Sequence, residues 1–136
     1  MRKSRWPVAT SDADFAPYLE GAPEASVVMF RRFIDLARAV GPVTFELQNG
    51  PVVLCGTRRI FAGVRVIDRG LAGRINLTRP LTDRRITKTE NLNKSVISSL
   101  YLVTSLSDLD ETFAQWLREA RDIGDGAHLS GGVPGR

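Results

Sequence analysis

The stretch RRIFAGVRVIDRGLAGRINLT, residues 58–78, decides the fold, because its apolar residues fall on every second position in two consecutive runs. Ile60, Ala62, Val64 and Val66 form the first run; Leu71, Gly73, Ile75 and Leu77 form the second, after the turn Asp68-Arg69-Gly70. A period of two means strand, so the segment reads as a β-hairpin. The alternate positions carry Arg59, Phe61, Arg65, Arg74 and Asn76. One face of the hairpin therefore suits a core and the other suits water or a polar partner.

Upstream, Val43, Phe45 and Leu47 alternate with Thr44, Glu46 and Gln48, and Asn49-Gly50-Pro51 separates them from the apolar run 52–55. That pattern predicts a second hairpin and an antiparallel meander of four strands over residues 43–78. Downstream, 79–85 holds a proline and three arginines and is read as a loop. Residues 86–90 alternate weakly, and VISSLYLVT, residues 96–104, is rich enough in β-branched and aromatic residues for a strand. Both of its faces are partly apolar, which predicts an inner position in the sheet.

Two amphipathic helices complete the pattern. Over residues 24–40, Val27, Phe30, Ile34 and Ala37 recur at spacings of three and four, widened by Phe33 and Leu36, between Pro23 and Gly41-Pro42. Over 107–123, Leu109, Phe113, Trp116, Leu117 and Ala120 make one stripe behind an acidic first turn capped by Ser107. A shorter helix of about two turns is expected after Ser11-Asp12-Ala13-Asp14, ended by Gly21. The fold class predicted is α+β: an antiparallel sheet of five to six strands with both main helices on one face. Residues 1–124 form the single domain, and the glycine-rich segment 125–136 is expected to be a disordered tail.

With 136 residues and one cysteine, Cys55, the chain has room for one core and forms no internal disulfide. No apolar run approaches the ~20 residues needed to span a bilayer. A cytoplasmic protein without a membrane partner is expected. The net charge of +4 is uneven: residues 58–94 hold ten basic and three acidic side chains, +7, whereas the remainder holds nine and twelve, −3. A basic strand region attracts anions by its field.

Catalytic signatures are lacking. The single histidine, His128, falls in the expected tail, so serine or cysteine nucleophiles lack a partner base and zinc lacks a nitrogen ligand. Gly124-Asp125-Gly126 neither follows a strand nor opens a helix, and there is no GK[ST] loop. No catalytic residue, metal site or cofactor is assigned. The leading expectation is a non-enzymatic binding module whose open sheet face presents Arg59, Phe61, Arg65, Arg74, Lys88 and Tyr101 to an anionic ligand or nucleic acid. The alternative is a self-associating interaction protein, a homodimer with Phe61, Ile67 and Tyr101 at its core; the third is a carboxylate enzyme using Glu46, Asp68 and Glu90.

Gly41-Pro42-Val43, Phe61-Ala62-Gly63-Val64, Asp108-Leu109-Asp110 and the run 116–120, WLREA, lie within a region of roughly residues 24–121 that resembles the small bacterial family named domain of unknown function 5655. Members often carry a histidine at the start of the last strand, where this chain has Ser98-Ser99. The resemblance implies an α+β domain and no particular activity.

Overall fold

The computed structural model describes residues 5–126. Six strands form one antiparallel sheet: β1 Thr44–Leu47, β2 Val52–Cys55, β3 Ile60–Ile67, β4 Gly70–Leu77, β5 Ile86–Asn91 and β6 Ile97–Val103, in the order β1-β2-β3-β4-β6-β5. The first four make the expected meander, and β6 takes the expected inner position between β4 and the edge strand β5. A 3₁₀ turn at Asp12–Phe15 leads into α1 Ala16–Leu19; α2 is Glu24–Ala39 and α3 is Glu111–Gly124. The α+β architecture is as the periodicity predicts.

Alternation assigns the two faces. Leu54, Val64, Leu71, Ile75, Leu77 and Val103 point to the helices, and all are fully or almost fully buried. They meet Phe30, Phe33 and Ile34 of α2 and Phe113, Leu117 and Ala120 of α3 in one cluster. The other face carries no helix among the described residues. At the β1 edge, residues 7–9 add a short stretch of pairing: Ala9 donates to the Phe45 carbonyl at 2.9 Å and Leu47 to that of Pro7 at 2.8 Å. The edge is thereby covered, which limits its use as a template for other chains.

At the centre of the sheet, Tyr101 lies across β4. Its hydroxyl donates to the Gly63 carbonyl on β3 at 2.7 Å, and its ring packs on Phe33 and edge-on to Phe113 at centroid distances of 6.2 and 5.2 Å. The crossing requires glycine beneath it: a Cβ on Gly73 would stand 2.0 Å from the Gly63 oxygen and 2.6 Å from the Tyr101 hydroxyl. Burial holds the Tyr101 phenol protonated by pushing its pKa well up.

The loop after β4 is not loose. Arg79 forms a bidentate pair with Glu119 of α3, and the buried Leu81 donates its N–H to Ser99 Oγ at 3.1 Å. Arg85, only 6% exposed, stacks on Trp116 at 4.6 Å. It donates to both Asp83 oxygens, to the Asp108 carbonyl at 2.6 Å and to Asp110 Oδ1 at 2.9 Å. Arg84 reaches Asp108 Oδ1 at 2.7 Å. The start of the last helix moves accordingly. Instead of Ser107 capping a helix from 107, Ser105 caps a 3₁₀ turn at Leu106–Asp108, and Asp110 caps α3 by accepting from the Phe113 N–H at 3.0 Å. At the far end, the Gly124 carbonyl accepts from the N–H groups of Arg58 and Arg59, and Asp125 accepts from that of Thr57. Asp125 and Gly126 thus dock on the β2–β3 turn; the rest of the expected tail lies outside the described residues.

Two predictions test this frame. Gly73→Ala drives a methyl group into backbone that cannot yield, and should cost at least about 2 kcal/mol in a urea titration; a neutral result would contradict the Tyr101 crossing. Arg85→Met keeps the contact with Trp116 but removes the guanidinium donors from four acceptor oxygens, two of which, Asp83 Oδ1 and Asp110 Oδ1, keep a backbone N–H; it should cost about 2–4 kcal/mol, near the range for breaking a buried ion pair. That cost depends on pH. The Arg85 guanidinium holds the Asp83 carboxyl down to about 2 from its ordinary 3.8. Asp110 also lies low: burial opposes this, but the Phe113 N–H and Arg85 outweigh it. Stability from a depressed carboxyl is complete above the unfolded value and lost as pH falls through the folded one. The gap between wild type and Arg85→Met should therefore be full above about pH 4 and close towards about pH 2; a gap independent of pH in acid would show that the charges contribute nothing.

Candidate functional site

The strand register lays out the uncovered face as rows. One row runs Glu46, Val53, Gly63, Arg74, Leu100, Lys88; the next runs Arg65, Ala72, Leu102. At the centre of the sheet, two neighbouring positions on β3 and two on β4 form a square. Arg65 and Arg74 occupy one diagonal, roughly 7–8 Å apart between backbones in such an arrangement. Gly63 and Ala72 occupy the other diagonal. Two long cationic side chains therefore stand over a floor from which side-chain bulk is missing. The result is a hollow of about 740 Å³, walled by Val53, Ile60, Ile67, Leu100 and Leu102 and rimmed by Arg65, Arg69 and Arg74.

Arg65 is exposed, and among the described residues no carboxylate pairs with it. Among the described residues Arg74 makes only long contacts, to Glu90 at 3.5 Å and to Ser98 Oγ at 3.4 Å. Glu90 is shared with Lys88 at 3.4 Å, so this end of the face carries one carboxylate against two cations. In the adjoining row Asn76 is buried, and its Oδ1 has no hydrogen-bond partner among the described residues. The arrangement can bind an anion through two guanidinium groups and enclose an apolar body between their stems.

Of the six residues expected on this face, Arg65, Arg74 and Lys88 lie there. Phe61 and Tyr101 do not: at 1% and 2% exposure both belong to the core on the helix side. Phe61 is turned inward by a β-bulge. Leu54 pairs with Ala62 and Cys55 with Ile60, so Phe61 has no partner on β2 and breaks the alternation. It packs under the end of α3, where a Cβ on Gly124 would come within 2.8 Å of its ring. Tyr101 is placed by the register with β4, opposite Gly73 on the helix side. Arg59 sits in the β2–β3 turn, half-buried against the end of α3 and away from the hollow.

The withdrawal of both aromatics takes two of the three residues from the expected dimer core, leaving Ile67. Base stacking on Phe61 is likewise ruled out. The carboxylates Glu46 and Glu90 stand on β1 and β5, opposite edges of a six-stranded sheet, roughly 24 Å apart at ~4.8 Å per strand. Glu46 is buried and accepts from Gln48, and Asp68 lies in the β3–β4 turn. The three do not converge, and no group of three His, Cys, Asp or Glu side chains suited to a metal occurs among the described residues. No described helix is long and apolar enough to cross a membrane.

Sequence reasoning missed the residues that make the hollow. Gly63 and Ala72 carry no functional group, and the available signal was a pair of small residues at outward positions of a hairpin whose other outward residues are large. A scan against protein-family models, a search of curated proteins and a search of solved structures each found no match to the chain.

Phe61→Ala tests the altered face assignment. Removing a ring from a packed core should cost about 3–5 kcal/mol in denaturant titration, whereas a loss below about 1 kcal/mol would return Phe61 to the surface.

Proposed function

We propose that the protein is a non-enzymatic binding module whose working surface is the uncovered face of the sheet and whose ligand is anionic. The observation that carries the reading is the diagonal pair Arg65 and Arg74 over Gly63 and Ala72, with Arg69 at the rim. Arginine suits this task because its planar fork gives two parallel hydrogen bonds to a carboxylate or phosphate. The charge distribution agrees: the positive excess of the chain lies in residues 58–94, which include β3, β4 and β5. Kinship with the domain of unknown function 5655 family belongs to the same proposal. It is supported by the Gly41-Pro42-Val43 and Phe61-Ala62-Gly63-Val64 motifs and supplies no activity.

Binding to heparin and to a labelled single-stranded oligonucleotide, each at two salt concentrations, tests the charge. Affinity should fall linearly in log salt as counterions are released. Arg65→Glu with Arg74→Glu should weaken binding at least tenfold and leave the melting temperature within a few degrees, since both side chains stand outside the core. If the double variant binds as tightly as the wild type, the arginines are a solubility feature.

A further inference from the structure

The shape of the hollow is more selective than its charge. Taking this face as the binding surface, we infer that its ligand is a free amphipathic carboxylic acid, held with its carboxylate between Arg65 and Arg74 and its aliphatic or aromatic body in the hollow over Gly63 and Ala72.

Three observations support this occupant over a nucleic acid. The volume, about 740 Å³, lies within the range of small-molecule sites. The walls are aliphatic, from Val53, Ile60, Leu100 and Leu102, whereas single-strand sites present aromatic faces. The one aromatic at the hollow among the described residues, Tyr101, is 2% exposed; its ring is packed against Phe33 and Phe113 and its hydroxyl is bonded to Gly63, so it offers no face to a base.

Charge complementarity selects the head group. Arg65 has no ion-pair partner among the described residues, and the contacts of Arg74 at 3.4 and 3.5 Å are long enough to yield to a bidentate carboxylate. Gly63 is the key to the apolar part. It has an ordinary backbone conformation, and a Cβ there would meet nothing closer than the Val52 carbonyl at 3.7 Å. A side chain at Gly63 would therefore grow into the hollow without disturbing the sheet, which makes Gly63→Leu a plug.

The experiment is isothermal titration of the full chain with butanoate, hexanoate, octanoate and decanoate, below their micellar concentrations, with octanol and heparin as controls. Affinity should rise about two- to fourfold for each methylene until the hollow is filled, then level off. Octanoate should bind at least tenfold more tightly than octanol. Gly63→Leu should abolish the chain-length dependence while heparin still binds; Arg65→Gln should abolish the preference for acid over alcohol while the chain-length dependence remains. Should Gly63→Leu fail to fold, Ala72→Leu plugs the same floor from β4. If heparin binds and responds to Arg65→Glu with Arg74→Glu but no carboxylate binds at millimolar concentration, this inference fails and the broader reading stands. If neither binds, both fail. Binding of carboxylates that is indifferent to Gly63→Leu, to Ala72→Leu and to Arg65→Gln would also overturn it, by placing them elsewhere.

Discussion

Tyr101 crossing Gly73 to reach the Gly63 carbonyl is the contact around which the sheet and both helices are arranged. The ring fills the space that a glycine leaves at the centre of β4, and in doing so supplies the surface on which Phe33 and Phe113 meet. A buried tyrosine needs a partner for its hydroxyl, and an unsatisfied one costs about 1–3 kcal/mol. Here the partner is main chain, so the side chain ties three strands together rather than two. The same pair of glycines shapes both faces: Gly73 admits the tyrosine on the helix side, and Gly63 leaves the hollow on the open side.

A second constraint holds the helix layer in place. Arg85 enters from the beginning of β5 and gathers Asp83, the Asp108 carbonyl and the N-cap residue Asp110 around its guanidinium, with Trp116 against its face. A buried arginine is tolerable only when its donors are matched, and these acceptors match it. The consequence is positional. The first turn of α3 is set by a residue of the β4–β5 loop, and the helix then runs back across β4 and β3 to Phe61 and the β2–β3 turn. With both helices engaged on one side, no helix of the described residues covers the arginines and the hollow on the other.

Much of this was legible in the chain. The strands follow from strict alternation in 43–78 and from the β-branched run before Thr104, and the helices follow from the stripes through Phe30 and Phe113. The features that were not legible depend on register. Phe61 has the sequence parity of Arg65, and only the bulge opposite Leu54 and Cys55 separates them. Tyr101 lies in a strand with apolar residues on both faces, so its side of the sheet is decided by pairing with Gly73 and not by its own neighbours. Arg85 reads as one more charge in a proline-containing loop, because its partners Asp108 and Asp110 lie more than twenty residues away. The hollow is made of side chains that are absent, which no motif announces.

The proposed binding surface is the square formed by Gly63, Arg65, Ala72 and Arg74 on the face opposite the helix layer. Amide proton–nitrogen correlation spectra recorded during titration with decanoate locate any binding residue by residue. Graded, saturable shifts are expected at Val53, Gly63, Arg65, Ala72, Arg74 and their neighbours Leu100 and Leu102, with α2 and α3 unmoved. Shifts centred on the helices, or spread over the surface without saturation, would contradict this placement.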